Sequence, residues 1–461
     1  MMKQQSNQHS SLRLTQLLFQ FGPQILIILS GMAIWASSQR QHIGGIVNDY
    51  ARVIQVSSRS VTLDNSAAFG IGDKVLIIQM NGAQISTAND ESYGDVQSLN
   101  HAGNYEFVDV VAVKGNQLIL DQILEKAYDA RHAVQAVRVP VYSHARIQRT
   151  LRANPWNGEK GGIISIWVKG TLTLSADVRV DNAGFRGAQS YGSSGLGSTH
   201  FICKTNSGQG GRKGEGIADF STMRCRGKQA TGGGGGNDQS GGGGGGSYVG
   251  AGGNGGYGWR SNDPCTLSDE GKGGQGGLSL EGMYEDEIAQ LFLGGGGGSG
   301  HQSNKTAYRA GNGGGIIFLK ATRLKVSAPN RMISARGEDA MNVYKKDGGS
   351  GGGAGGAIIL DIGKVEASFA NLNSFSLDVS GGKGSDIYCM DHQGPGGGGG
   401  GGIICAPQTL LGQIPFAVQG GKAGIFLSLK GTQHPLHETT HGARDGSPGK
   451  YLRGAPLFSY E

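Results

Sequence analysis

The sequence predicts an all-β protein: a small N-terminal β-barrel or sandwich, then a β-helix or solenoid-like domain with long Gly-rich loops, packed polyglycine helices being one form they can take. Three observations predict it. The first third of the chain alternates apolar and polar residues in short runs bounded by turn residues, the period of half-buried strands. Beyond residue 160 a unit recurs in which glycines lead into an Ile-Ile or Ala-Ile-Ile strand. Glycine makes up 87 of 461 residues, against a usual share of about 7%.

Residues 1–38 read as an export signal. Lys3 and Arg13 give a positive start, residues 21–35 an apolar core, and Ala36-Ser37-Ser38 small residues for cleavage. That core is shorter than the ~20 residues of a spanning helix, an uncleaved anchor being the alternative, and no later run is long enough to span. The expected location is secreted or cell surface, on the bacterial outer surface or in the periplasm.

Residues 44–150 form an expected all-β domain of five to seven strands. Its strands are read at 53–56, 60–63, 73–80, 105–113, 117–120 and 134–142, with Pro140 marking a strand end. The 73–80 run is apolar enough for burial on both faces. Only 123–129 looks helical. Residues 151–160 are the hinge, where Asn157-Gly158 signals a tight turn and Pro155-Trp156 a packed junction.

The solenoid-like domain is expected over 161–461, with a large insertion at 185–312. Gly161-Gly162-Ile163-Ile164, Gly314-Gly315-Ile316-Ile317, Gly356-Ala357-Ile358-Ile359 and Gly401-Gly402-Ile403-Ile404 each lead to a turn, an alternating strand and a glycine exit. The last three begin 42 and 45 residues apart. One such unit cannot bury its apolar face alone, whereas stacked units bury Ile upon Ile. A β-sandwich with decorated loops is the rival.

Glycine runs permit two states, a flexible linker or close-packed extended chains, because glycine has no Cβ. No Gly-X-Y period is present, so collagen is excluded. The runs leave neighbouring rungs side by side, which favours lateral hydrogen bonding. Residues 231–258 are therefore expected to pack as a rigid, projecting apex capped by Tyr248, Tyr257 and Trp259, and recognition is expected there.

The five cysteines are Cys203, Cys225, Cys265, Cys389 and Cys405. The first three fall in the insertion, where a disulfide suits an exported chain; the pairing is open and one thiol is left over. Cys405 reads as a buried small hydrophobe. The formal net charge of +6 is scattered without a basic block, which gives no support to nucleic-acid binding.

Four stretches carry a family resemblance: residues 72–83 (GDKVLIIQMNGA), 103–107 (GNYEF), 134–142 (VQAVRVPVY) and 155–158 (PWNG) followed by GGI. The chain over 44–190 resembles glycine-rich exported surface or adhesin-like proteins of Bacteroidetes and gliding bacteria. The resemblance implies a cell-surface role. In style alone the glycine runs are similar to the glycine-rich ectodomain of the anaplastic lymphoma kinase receptor and to some phage tail adhesin tips, in which packed polyglycine helices serve recognition.

Motifs of known chemistry fare poorly against their contexts. His437-Glu438-Thr439-Thr440-His441 matches HExxH, which holds zinc only on a helix. Here Pro435, Gly442 and two threonines oppose a helix. Gly253-Asn254-Gly255-Gly256-Tyr257-Gly258 matches GxGxxG, with no strand before it and no helix after it. Asp378, Asp386 and Asp391 lie near turns and could line a groove for glycan cleavage or hold calcium, although loop carboxylates are usually just solvated. No catalytic, cofactor-binding or metal-binding residue is assigned. The expectation is an exported, non-enzymatic recognition, adhesion or structural protein, with a cell-surface glycan, matrix or another surface protein as partner. A carbohydrate-active β-helix enzyme is the alternative, and a zinc peptidase using His437, Glu438 and His441 the remote one.

Overall fold

The computed structural model describes residues 41–453 except 190–191, 193–199, 204–206, 219–222, 238–239, 259–271, 285–287, 303–307, 345–346, 368–372, 390–392 and 430–436. The expected export signal, Trp259, Cys265 and Asp391 lie outside the described residues. Among these, no helix is long and apolar enough to cross a membrane.

The chain starts in one sheet, leaves to build a barrel, and returns. Strand β1 (Gln41–Gly45) pairs in parallel with β11 (Ala145–Arg152). Between them lie β2 (Tyr50–Ser57), β3 (Ser60–Leu63), β4 (Lys74–Gln79), the side hairpin β5 (Gln84–Ile85) and β6 (Val96–Ser98), β7 (Tyr105–Lys114), β8 (Gln117–Leu120), β9 (Val134–Val139) and β10 (Val141–Tyr142). Six of these close an antiparallel barrel in the order β2-β3-β8-β7-β4-β9. Val53, Val61, Val75, Ile77 and Val110 fill it. Leu76 and Ile78 alternate to the outside of β4 and pack towards the second domain, so this strand is buried on both faces. Pro140 separates β9 from β10, as a residue without an N–H should.

Residues 123–129 form no helix. The Glu106 carboxylate of β7 accepts the N–H groups of Glu125 (3.0 Å) and Lys126 (3.3 Å), which ties the segment to the barrel. Residues 145–152, which composition groups with the barrel, instead belong to the parallel sheet through β11.

That sheet is a stack of rungs. The long strands β12 (Ile163–Leu174), β14 (Ile316–Val326), β16 (Ala357–Ala367) and β19 (Ile403–Ala406) pair in parallel, and β22 (Lys450–Arg453) closes the row. Ile163, Ile316, Ala357 and Ile403 are in register, as are Ile164, Ile317, Ile358 and Ile404. The first set faces the barrel and the aromatics of the insertion. The second faces a parallel row of short strands, β13 (Val178–Arg179), β15 (Met332–Ser334), β17 (Ser376–Asp378) and β20 (Phe416–Ala417). Two adjacent isoleucines thus serve two faces. The helix α1 (Gln408–Leu411) inserts Leu410 under the last rung. A smaller parallel pair, β18 (Ile387–Cys389) and β21 (Phe426–Ser428), flanks the stack.

The glycine runs are the buried continuation of these rungs, and not a projecting apex. Residues 313–315, 348–356, 394–402 and 446–449 run straight into β14, β16, β19 and β22. In 242–247 the N–H donors rotate with a period of three. Gly242 and Gly245 bond to Gly256 and Gly253, Gly243 and Gly246 to Gly349 and Gly352, and Gly244 and Ser247 to Gly234 and Thr231. Its carbonyls accept from Gly274, Gly298 and Gly397. Three residues per turn is the polyproline II period, and the chain is surrounded by neighbours on every side. A Cβ on Gly244 would lie 2.1 Å from the Gln275 oxygen, and one on Gly399 2.0 Å from the Gly353 oxygen. Only glycine permits this spacing.

Side chains fasten the bundle at its margins. Cys203 and Cys225 form a disulfide, while Cys389 and Cys405 are buried thiols. The buried Lys213 ammonium donates to the carbonyls of Phe201 (2.7 Å), Cys225 (3.0 Å) and Gly227, and sits over the Tyr93 ring. Tyr248 is buried edge-on to Tyr284 and Phe292.

Candidate functional site: a groove between barrel and sheet

Barrel and sheet are joined by an aromatic cluster. Phe107 of β7 meets Phe318 of β14 edge-on at 5.4 Å and Trp167 of β12 at 5.3 Å. Asn48 clamps the backbone of Ser165 through both side-chain atoms, and the Tyr50 hydroxyl donates to the Ile163 carbonyl. Gln135 does the same to Gly161. These bonds fix the two domains as walls of one groove, with a volume of about 1090 Å³.

Parallel register builds the sheet wall. Trp167, Lys320 and Asp361 occupy equivalent positions on β12, β14 and β16, so they form one row across the strands. Lys320 pairs with Asp361 at 3.2 Å. On the barrel wall Lys74 and Asp109 are direct cross-strand partners, bonded at 2.7 Å. The two ammonium groups lie over the Trp167 ring, at 4.5 Å from Lys74 and 4.9 Å from Lys320, within cation–π range. Ile71, Val111 and Val141 are exposed apolar residues on the rim. A second hollow of about 580 Å³ shares Lys74, Val141 and Tyr142 and extends the groove past His42 and Arg149.

An indole, a tyrosine and alternating donors and acceptors on a long concave surface suit binding of an amphipathic chain. Both carboxylates already accept from a lysine.

The sequence singled out none of these residues. The usable signal was position four after each strand start, where the apolar run gives way to Trp167, Lys320 and Asp361.

The residues it did weigh fall elsewhere. Residues 437–441 form turns, with Glu438 at φ 59° and His441 at φ 46°. The Glu438 N–H donates to Phe426, and His441 packs against Tyr257. The two histidines therefore do not share a helix face, and the zincin geometry is not built. Among the described residues no group of three His, Cys, Asp or Glu is placed to hold a metal. Asp378 accepts from the N–H and hydroxyl of Ser380, and Asp386 from the Ile425 N–H and Lys383. These carboxylates hold turns and line neither of the hollows described above. The glycines at 253–258 belong to the bundle.

No family model and no curated protein matches the chain. Two phage tailspikes are similar to it. One is the Gp54 tailspike of Acinetobacter baumannii bacteriophage AP22, solved in complex with A. baumannii capsular saccharide: 10% identity, TM-score 0.17, covering 84% of this chain and 58% of that one. The other is the tailspike gp49 of Pseudomonas phage LKA1: 9% identity, TM-score 0.15, covering 84% and 63%. The chain thus spans less than two thirds of either tailspike. Likeness at that level carries no weight for function.

Proposed function

We propose that the protein is an exported, non-enzymatic recognition protein of the cell surface, and that it binds an extended saccharide chain in the groove between barrel and sheet. The observation that carries the reading is the row Trp167–Lys320–Asp361 facing the Lys74–Asp109 pair across one groove. Pyranose rings offer an apolar face to an indole and hydroxyls to paired charges. The groove's continuation past Tyr142 suits several sugar units. An exported glycine-rich surface protein, as the residues at 72–83 and 134–142 suggest, meets such chains at the cell boundary.

A glycan array with the purified protein tests the reading. A saccharide that binds and is recovered uncleaved is expected. Trp167→Ala should weaken that binding about tenfold or more. Lys169→Glu on the exposed rim should change it without affecting folding. No glycan bound, or wild-type affinity in both variants, overturns the assignment. The apolar rim of Ile71, Val111 and Val141 favours a second reading, in which the groove takes a segment of another surface protein; pull-down from surface extracts lost in the same variants would support that instead.

A further inference from the structure

A third concavity lies on the glycine bundle, away from the groove. Its volume is about 570 Å³, and its floor is backbone from 251–255 and 273–277. Arg226, Lys228, Lys272 and Arg444 line it, with Glu91 the one carboxylate among the described lining residues. Lys228 also pairs with Asp95 at 2.8 Å. Asp445, beside Arg444 in sequence, is committed to Lys422 at 2.8 Å. The floor has a further property. Gly252, Gly253, Gly255 and Gly256 spend their N–H groups inside the bundle, whereas those of Ala251 and Asn254 make no hydrogen bond among the described residues. They follow the period of three, and both residues line the trough. Without side chains on the glycines, a ligand can reach the backbone itself. Tyr257 stands at one wall.

We infer that this trough is an anion-binding site for an acidic saccharide, with the ring lying on the glycine floor, its carboxylate or sulfate held by Arg226, Lys272 and Arg444, and its remaining oxygens meeting outward backbone N–H groups. Backbone amides and cations converging on one hollow are a general means of holding anions. The site is independent of the Trp167 groove, so either assignment can fail alone.

The test titrates the full protein with three probes: an oligogalacturonate, a dextran sulfate oligomer and neutral dextran of similar length. Either acidic probe, or both, should saturate, and neutral dextran should not; which acidic probe binds tells carboxylate from sulfate. Lys272→Gln with Arg444→Gln should weaken acidic-probe binding about tenfold or more, with an unchanged thermal midpoint, and binding should fall as salt rises. Trp167→Ala should leave it unchanged. Equal binding of neutral dextran, no saturation by either acidic probe, or loss in Trp167→Ala while the double variant binds normally would each overturn the site.

Discussion

A single glycine in this molecule can matter as much as a core leucine elsewhere. Gly244 has the Gln275 carbonyl where its Cβ would stand, whereas nothing lies within 4 Å of the Cβ position of Gly282. Gly244→Ala must push a hydrogen-bonded neighbour aside, and overpacking of this kind costs about 2 kcal/mol or more. Gly282→Ala should stay within about 0.5 kcal/mol of the wild type. Urea unfolding midpoints of the two variants check the contrast. At the same scale, burial raises the Cys405 thiol to about 11, as a buried small hydrophobe should behave.

Among the elements, the rungs are held by in-register isoleucines. Ile358 lies fully buried between Ile317 and Ile404. Ile358→Ala should therefore cost about 2–5 kcal/mol, read as a lowered denaturation midpoint with circular dichroism at low denaturant unchanged. This part of the fold was legible. Paired isoleucines after glycine announce a strand covered on both sides, and their recurrence gave the register. Strand β11 was not legible as a member of the stack. Its sequence, ARIQRTLR, alternates just as a barrel strand does, and period two does not say which sheet a strand joins. The groove was hidden for a related reason. Trp167, Lys320 and Asp361 are successively 153 and 41 residues apart and differ in type, so only the register brings them into one row. The bundle's three-residue period and its burial were hidden too, since the period resides in backbone bonding and glycine carries no side-chain pattern.

For the molecule as a whole, buried tyrosines tie the parts together and set a limit at high pH. Burial raises Tyr93 and Tyr248 to about 12 from the ordinary 10.0. It also moves Tyr50, Tyr105 and Tyr284 upwards, each with help from neighbouring ionisable groups. The folded state favours the neutral phenol, and the unfolded chain ionises near 10. The stability these residues contribute is thus fully present below about pH 10 and is lost as pH rises through about 12. Tyrosinate absorbance and loss of circular dichroism should rise together in that window. Early absorbance from most tyrosines in a still-folded protein would contradict their burial.

The period of three in the bundle also governs how its sequence can change length. Adding or removing three glycines from one segment advances it by a full turn, and each N–H again meets the neighbour it had before. A change of one or two rotates every donor away from its partner. Lineages of this chain should therefore lengthen and shorten their glycine runs in whole turns, with Ile-Ile starts and side-chain anchors fixing where each run begins.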